Sequence, residues 1–226
     1  MLLLAAVCLL AGCGGDPAAK TGFHEVNERR FFANSLGMQF VQLPDGDAWL
    51  GVWETRVADY AVFASATTNG WQAAWFQDTD RHPAVNVQWD DAQAFCAWLS
   101  RRERESGLLA DDEGYRLPTS SEWTAALDQA EPTDSGNFGP QLGSESFDRT
   151  SPVSSFPANA LGLHDLRGNV WEWCTAWPSE EGVGRILRGG GWRDAATDRE
   201  LIVTPKVSAE DYGFRCVLIL KRPAGP

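Results

Sequence analysis

Histidine is scarce: His24, His82 and His164 are the three in 226 residues, and they stand far apart. None belongs to a pattern such as two histidines four apart with a glutamate between, so no histidine-based zinc centre is indicated. No serine, histidine and aspartate occur in a recognisable triad context. No glycine-rich loop joins a strand to a helix, which removes the usual phosphate cradle. Positive charge is also short, with 19 Lys and Arg against 31 Asp and Glu and a net charge of −12. That balance disfavours nucleic acid and anionic lipid surfaces as partners. No internal repeat is visible, and no apolar run reaches the ~20 residues of a membrane-spanning helix. Tyrosine is rare, three against eleven Trp and eleven Phe. The aromatic content therefore consists mostly of rigid apolar plates suited to a core.

What is present begins at the N-terminus. "MLLLAAVCLLAGCGG" is a short apolar run ending in Leu10, Ala11, Gly12 and Cys13, and it resembles the lipobox of bacterial lipoprotein signal peptides. Residues 1–12 are then a signal peptide, and 13–33 a lipidated cysteine with its tether, opened by "GGDPAAKTG". The run departs from the usual pattern in carrying no Lys or Arg before it, which leaves an atypical signal or a different start as alternatives. Lipidation at Cys13 implies an exported bacterial lipoprotein, on the periplasmic side, the outer membrane or the cell surface. Disulfides are permitted there.

Beyond the tether the pattern reads as one α+β domain over 34–222. A helix is expected from Thr55 as N-cap, with Val57, Tyr60, Ala61 and Ala64 inward. A second starts near Asp90 or Asp91, carries Phe95, Trp98 and Leu99 on one face, and stops at Gly107. Thr119 and Glu122 form a capping box that opens a third, with Trp123, Ala126 and Leu127 inward. Residues 127–157 read largely as loop. Short strand-like pieces separated by glycines follow, without βαβ alternation.

Four segments match one family in order: "HPAVNVQWDDAQAFCAWL" (82–99), "YRLPTSSEWTAAL" (115–127), "SPVSSFPANALGLHDLRGNVWEW" (151–173), and "RILRGGGW" with "GFRC" (185–216). They resemble the domain of formylglycine-generating enzymes, also called sulfatase-modifying factors, and "NSLGMQFVQLP" (34–44) resembles its opening. The resemblance implies a compact variant of the C-type-lectin-like fold, low in regular secondary structure. "GVWETRVADYAVF" looks closest to family domains found beside bacterial protein kinases or on lipoproteins.

Catalytic members of the family hold copper with two cysteines just after the "RGG" segment, since soft thiolates select Cu(I). Aligned on "RGGGW", those positions are Asp194 and Arg199, and a serine of the family pattern is Gly191. The resemblance therefore implies no catalytic residues, no copper and no formylglycine formation. "RGGGW" alone reads as a tight turn in which Trp192 plugs the core. The family's calcium loop maps to the side chains of Asp165 and Glu172 with the carbonyls of Gly168 and Val170, and such mixed oxygen donors suit Ca²⁺. A second calcium set maps to Asn137, Phe138, Glu145 and Phe147. The resemblance also implies a disulfide between Cys96 and Cys216, the alternative being reduced buried thiols. Cys174 reads as a small core residue.

The function expected from these residues is a membrane-anchored binding module without catalysis. It would meet a protein or small ligand through loops near 127–157 and 193–212. The alternative is an oxidoreductase of the formylglycine type with an altered active site. A calcium-dependent sugar lectin has no recognisable sugar-binding pair here, because "FPAN" (156–159) offers Asn159 but no glutamate before the proline.

Overall fold

Short strands with apolar side chains on both faces build the larger sheet. Its strands are β1 (Gly22–Val26), β2 (Arg29–Ala33), β3 (Gln39–Gln42), β4 (Ala48–Gly51), β5 (Gly114–Arg116) and β10 (Val217–Ile219), in the order β1-β2-β3-β4-β10-β5. Every neighbouring pair in it is antiparallel. The molecule is seen as a computed structural model describing residues 21–26, 28–44, 47–127, 136–139, 147–175, 184–194 and 200–221. Phe31, Val41, Leu50 and Val217 fall in one register row. Successive strand residues point to opposite faces, so Phe32, Phe40, Trp49 and Leu218 face the other way. Both faces are covered, which is why both sets are apolar. A register slip of one residue would exchange the two sets and pack each against the wrong partners.

Helices close these faces. The second set packs on α1 (Val57–Thr67) through Tyr60 and Phe63, and on α2 (Trp89–Glu105) through Phe95, Cys96 and Leu99. The first set packs on α3 (Ser120–Leu127) through Trp123, Ala126 and Leu127. Each such large apolar side chain contributes about 1.5–3 kcal/mol by leaving water. In α2, Asp90 and Asp91 occupy the first turn and Arg102 and Arg104 the last, matching the helix dipole. Gly107, at φ 77°, ends it as expected. The capping box of α3 forms reciprocally: Glu122 N–H donates to Thr119 Oγ1 at 3.1 Å, and Thr119 N–H donates to Glu122 Oε2 at 2.8 Å.

The smaller sheet has the order β8-β7-β6-β9, from β6 (Trp171–Trp173), β7 (Arg185–Arg188), β8 (Leu201–Val203) and β9 (Tyr212–Gly213). It is antiparallel except for β6 and β9, whose parallel pairing sets Trp171 beside Tyr212. Three helices and two sheets among the described residues make the domain α+β.

The sheet opens at Gly22, inside the 13–33 segment expected as tether: "GFHEV" pairs along its whole length with "RRFFA", and Phe31 and Phe32 are buried. Three expectations about single residues are corrected. The cap of α1 is Arg56, not Thr55, since Asp59 turns back to accept the Arg56 amide at 3.0 Å and its guanidinium at 2.9 Å. Phe63 is buried on α1, while Val57 and Ala61 are partly exposed. Trp192 does not plug the core: it is partly exposed, whereas Trp123, Trp171 and Trp173 are buried. The signal peptide and Cys13 lie outside the described residues. Among those described, no helix is long and apolar enough to cross a membrane.

Candidate functional site

Two glycines turn the chain after β7. Gly189 (φ 96°) and Gly190 (φ 78°) adopt left-handed backbone, and a Cβ at Gly189 would stand 3.2 Å from the Leu166 carbonyl oxygen. The turn delivers Asp194 to the end of β6. There Trp171 Nε1–H donates to Asp194 Oδ2 at 2.7 Å, and Gly191 N–H donates to the same oxygen at 3.0 Å. The Asp194 carbonyl accepts Gly139 N–H at 2.9 Å. Asp194, the position expected from the resemblance to hold the family's first thiolate, thus acts as a hydrogen-bond acceptor. Arg199, at the second address, lies outside the described residues.

Beside Asp194 opens a cavity of about 450 Å³, lined by Trp171, Arg193, Glu200, Asp211 and Tyr212 among others. Burial raises the Asp211 carboxyl above its ordinary value; Arg193 opposes the shift, and Asp194 and Glu210 reinforce it. The same surface carries an arginine-aromatic cluster. Arg149 lies 4.9 Å from the Trp75 and Phe76 rings and 5.4 Å from Trp192, and Trp75 is 78% exposed. Arg149 and Arg193 both pair with Glu210, at 2.9 and 2.7 Å. A larger cavity of about 610 Å³ is lined by Arg29, Trp53 and His164 among others.

The donors at the Asp194 pocket are hard oxygens, a poor match to Cu(I). The three cysteines of the domain are buried in its cores rather than at the cavity. Burial pushes the thiols of Cys96 and Cys174 well up, Cys96 further through contact with Cys216. Such thiols are inert nucleophiles. Cys96 and Cys216 are neighbours, with their Sγ atoms 3.7 Å apart, and both are free thiols here.

The loop 165–172 holds a buried ionic cluster. Arg215 and Glu172 have side chains 0% exposed. Arg215 Nε–H donates to Glu172 Oε2 at 2.7 Å and an Nη2–H donates to Oε1 at 2.6 Å. Its other donors reach the Gly51 carbonyl at 3.1 Å and the His164 carbonyl at 2.9 Å. Trp123 Nε1–H also donates to Glu172 Oε2, at 2.9 Å. Both oxygens of Glu172 therefore serve Arg215, while Asp165 Oδ1, the other side-chain oxygen of the expected calcium set, is buried without a hydrogen-bond partner. Among the described residues, no three His, Cys, Asp or Glu side chains gather as a metal site. Asp165 accepts Ser154 N–H at 2.7 Å through Oδ2. Asn137 of the second set spends its amide on the Arg149 carbonyl and Asn169, and its own carbonyl accepts Asn169 N–H. Phe138 is buried and Phe147 is exposed, while Glu145 lies outside the described residues.

Three residues escaped the sequence reading. Glu54 is buried, accepts Asn169 Nδ2–H at 3.0 Å through Oε1, and leaves Oε2 without a hydrogen-bond partner, as Asp165 leaves Oδ1. Burial raises its carboxyl well above the ordinary value, and Asp165 adds to the shift. Burial raises Asp165 too. Arg215 and Asp211 are the others. A charge inside an apolar run, as in "GFRCVLIL" and "GVWETRV", was the available signal for Arg215 and Glu54.

Comparison with known proteins follows this geometry. The family model for the sulfatase-modifying factor enzyme 1-like domain matches residues 24–220. The formylglycine-generating enzyme of Thermomonospora curvata is 29% identical over 184 residues, 62% of this chain and 56% of that protein. The inactive C-alpha-formylglycine-generating enzyme 2 of Bos taurus is 34% identical over 173 residues, 63% of this chain and 52% of that protein. The chain spans about half the length of these curated relatives. The solved structure of PvdO from Pseudomonas aeruginosa shares the fold, with a TM-score of 0.66 at 20% identity, covering 84% of this chain and 98% of that one. The chain therefore belongs to the sulfatase-modifying factor family, in which both formylglycine-generating enzymes and an inactive form occur.

Proposed function

We propose that this domain is a non-catalytic binding module, carried on an exported lipoprotein and using the Asp194 pocket and its rim to meet a ligand or partner. The observation that carries the reading is the state of Asp194. It stands where a copper-binding thiolate is expected, and its Oδ2 is held by Trp171 and Gly191 instead. The inactive relative in Bos taurus supports the reading, because it is a member of the family named for the lack of that activity. The fold belongs, in this reading, to the C-type-lectin-like variants, with loops as the working surface.

The test is an incubation of the purified chain with Cu(I), oxygen and a cysteine peptide of the sulfatase type. No aldehyde is expected by mass spectrometry. Aldehyde formed in proportion to enzyme would overturn the reading in favour of an altered oxidoreductase. Anchoring is tested separately, by labelling cells with an alkyne fatty acid: label is expected on the chain and lost in Cys13→Ala. Label that persists in the variant removes Cys13 as the anchor.

A further inference from the structure

Asp211 is 7% exposed and lines the pocket. Apart from its own backbone amide, none of the described residues hydrogen-bonds its carboxylate. The neighbouring charges are already spent. Glu200 accepts Ser120 Oγ–H at 2.6 Å and pairs with Arg188 at 3.1 Å. Arg193, the basic residue of the lining, pairs with Glu210 at 2.7 Å and lies 4.5 Å from the Trp192 ring. Asp194 has Oδ2 filled, and no bond from the described residues reaches Oδ1.

Gly191 brings the two carboxylates together. Its N–H bonds Asp194, and a Cβ there would lie 2.9 Å from Asp211 Cβ, 3.0 Å from its Oδ2 and 3.1 Å from Trp171 Cδ1. Any side chain in place of Gly191 would push the Asp211 carboxylate or the Trp171 ring aside. The result is a pocket with two carboxylates short of donors and aromatic walls from Trp171 and Tyr212.

We propose that this pocket binds a primary ammonium group on an alkyl stem, as in a lysine side chain or a short diamine. An ammonium brings positive charge and N–H donors for Asp211 and Asp194. The stem packs on the aromatic walls, whose faces also attract a cation. An anion meets excess negative charge, and a quaternary ammonium carries no donor. The inference rests on the binding-module reading and supplies its ligand class.

The test titrates the folded full chain with Nα-acetyl-lysine methylamide, followed by calorimetry and by the Trp171 indole N–H resonance. Saturable binding is expected, weakened at least about tenfold in Asp211→Asn, because a charge-assisted hydrogen bond is lost. The Nε-acetylated compound, tested on the unmodified chain, is expected not to bind. The proposal is overturned by no saturation up to roughly 10 mM, or by equal binding of the acetylated compound. It is equally overturned if the variant, folded by circular dichroism, binds as well as the parent. Failure here leaves the binding-module reading standing, since aldehyde formation alone decides that.

Discussion

Replacing Arg215 by Met tests the ionic cluster. The guanidinium makes two bonds to Glu172 and one each to the Gly51 and His164 carbonyls, all in the interior. Met fills most of the volume, but Glu172 keeps only Trp123, and Glu54 and Asp165 lose the cation that offsets their repulsion. Breaking one side of a buried pair costs about 3–5 kcal/mol. For a domain of this size that lowers Tm by roughly 6–20 °C. Urea unfolding of Arg215→Met, Glu172→Gln and the double variant, followed by tryptophan fluorescence, measures it. The double variant should lose less than the sum of the singles, because each single change already breaks the Arg215–Glu172 pair. The sign with pH follows from the carboxyls left behind. Raised carboxyl values cost stability above their unfolded values, so the loss should grow as pH rises and shrink towards pH 4. Additive losses, or a single-variant loss below about 1 kcal/mol, would refute the account and make the pair no stronger than a surface bridge.

Glu54→Gln should hold or raise stability at pH 8. The raised Glu54 carboxyl makes the native state bind more protons than the unfolded chain above about pH 4.3, so stability falls with rising pH until the folded value is passed. Gln cannot titrate and removes that fall; urea curves at pH 5 and 8 check it, and a loss above about 1 kcal/mol at pH 8 contradicts it. Cys96 and Cys216, 120 positions apart, should be joined when the chain is recovered from an oxidising compartment. Non-reducing peptide mapping detects the bond, which should add about 4–5 kcal/mol against urea; two alkylatable thiols in the exported chain speak against it. A calcium chelator should leave Tm unchanged if Glu172 serves Arg215, and a fall of several degrees would return an ion to the 165–172 loop.

The parts legible in the sequence are those fixed by neighbours along the chain. Thr119 and Glu122 announce α3 because both halves of its cap lie three residues apart, and Phe95, Trp98 and Leu99 mark the inner face of α2. Arg56 displaced Thr55 as cap because the Asp59 carboxylate reaches back to it, a local bond that cap preferences do not weigh. β1 was hidden because "GFHEV" sets its polar residues His24 and Glu25 side by side and leaves Phe23 and Val26 exposed, so no alternation marks it and it takes its order from β2. Trp192 misled because size alone suggests burial, whereas Phe76, Arg149 and Arg193 give it a surface setting. Arg215 and Glu172 are separated by 43 positions, and no periodicity links them. The family resemblance located the pocket through Asp194, but the carboxylate that completes it, Asp211, comes from a loop without a motif.

The larger sheet also decides where this protein can vary. All four residues of β4 are buried, and β2 and β3 carry apolar side chains to both faces. A substitution at these inner positions disturbs one packed core or the other, so these strands leave little room for new recognition. The pocket rim has no such burden, since Trp75 and Arg193 stand on connecting segments in contact with water. Recognition can therefore be rewritten at the rim while the frame stays constant, and a change of ligand need not cost the scaffold its stability.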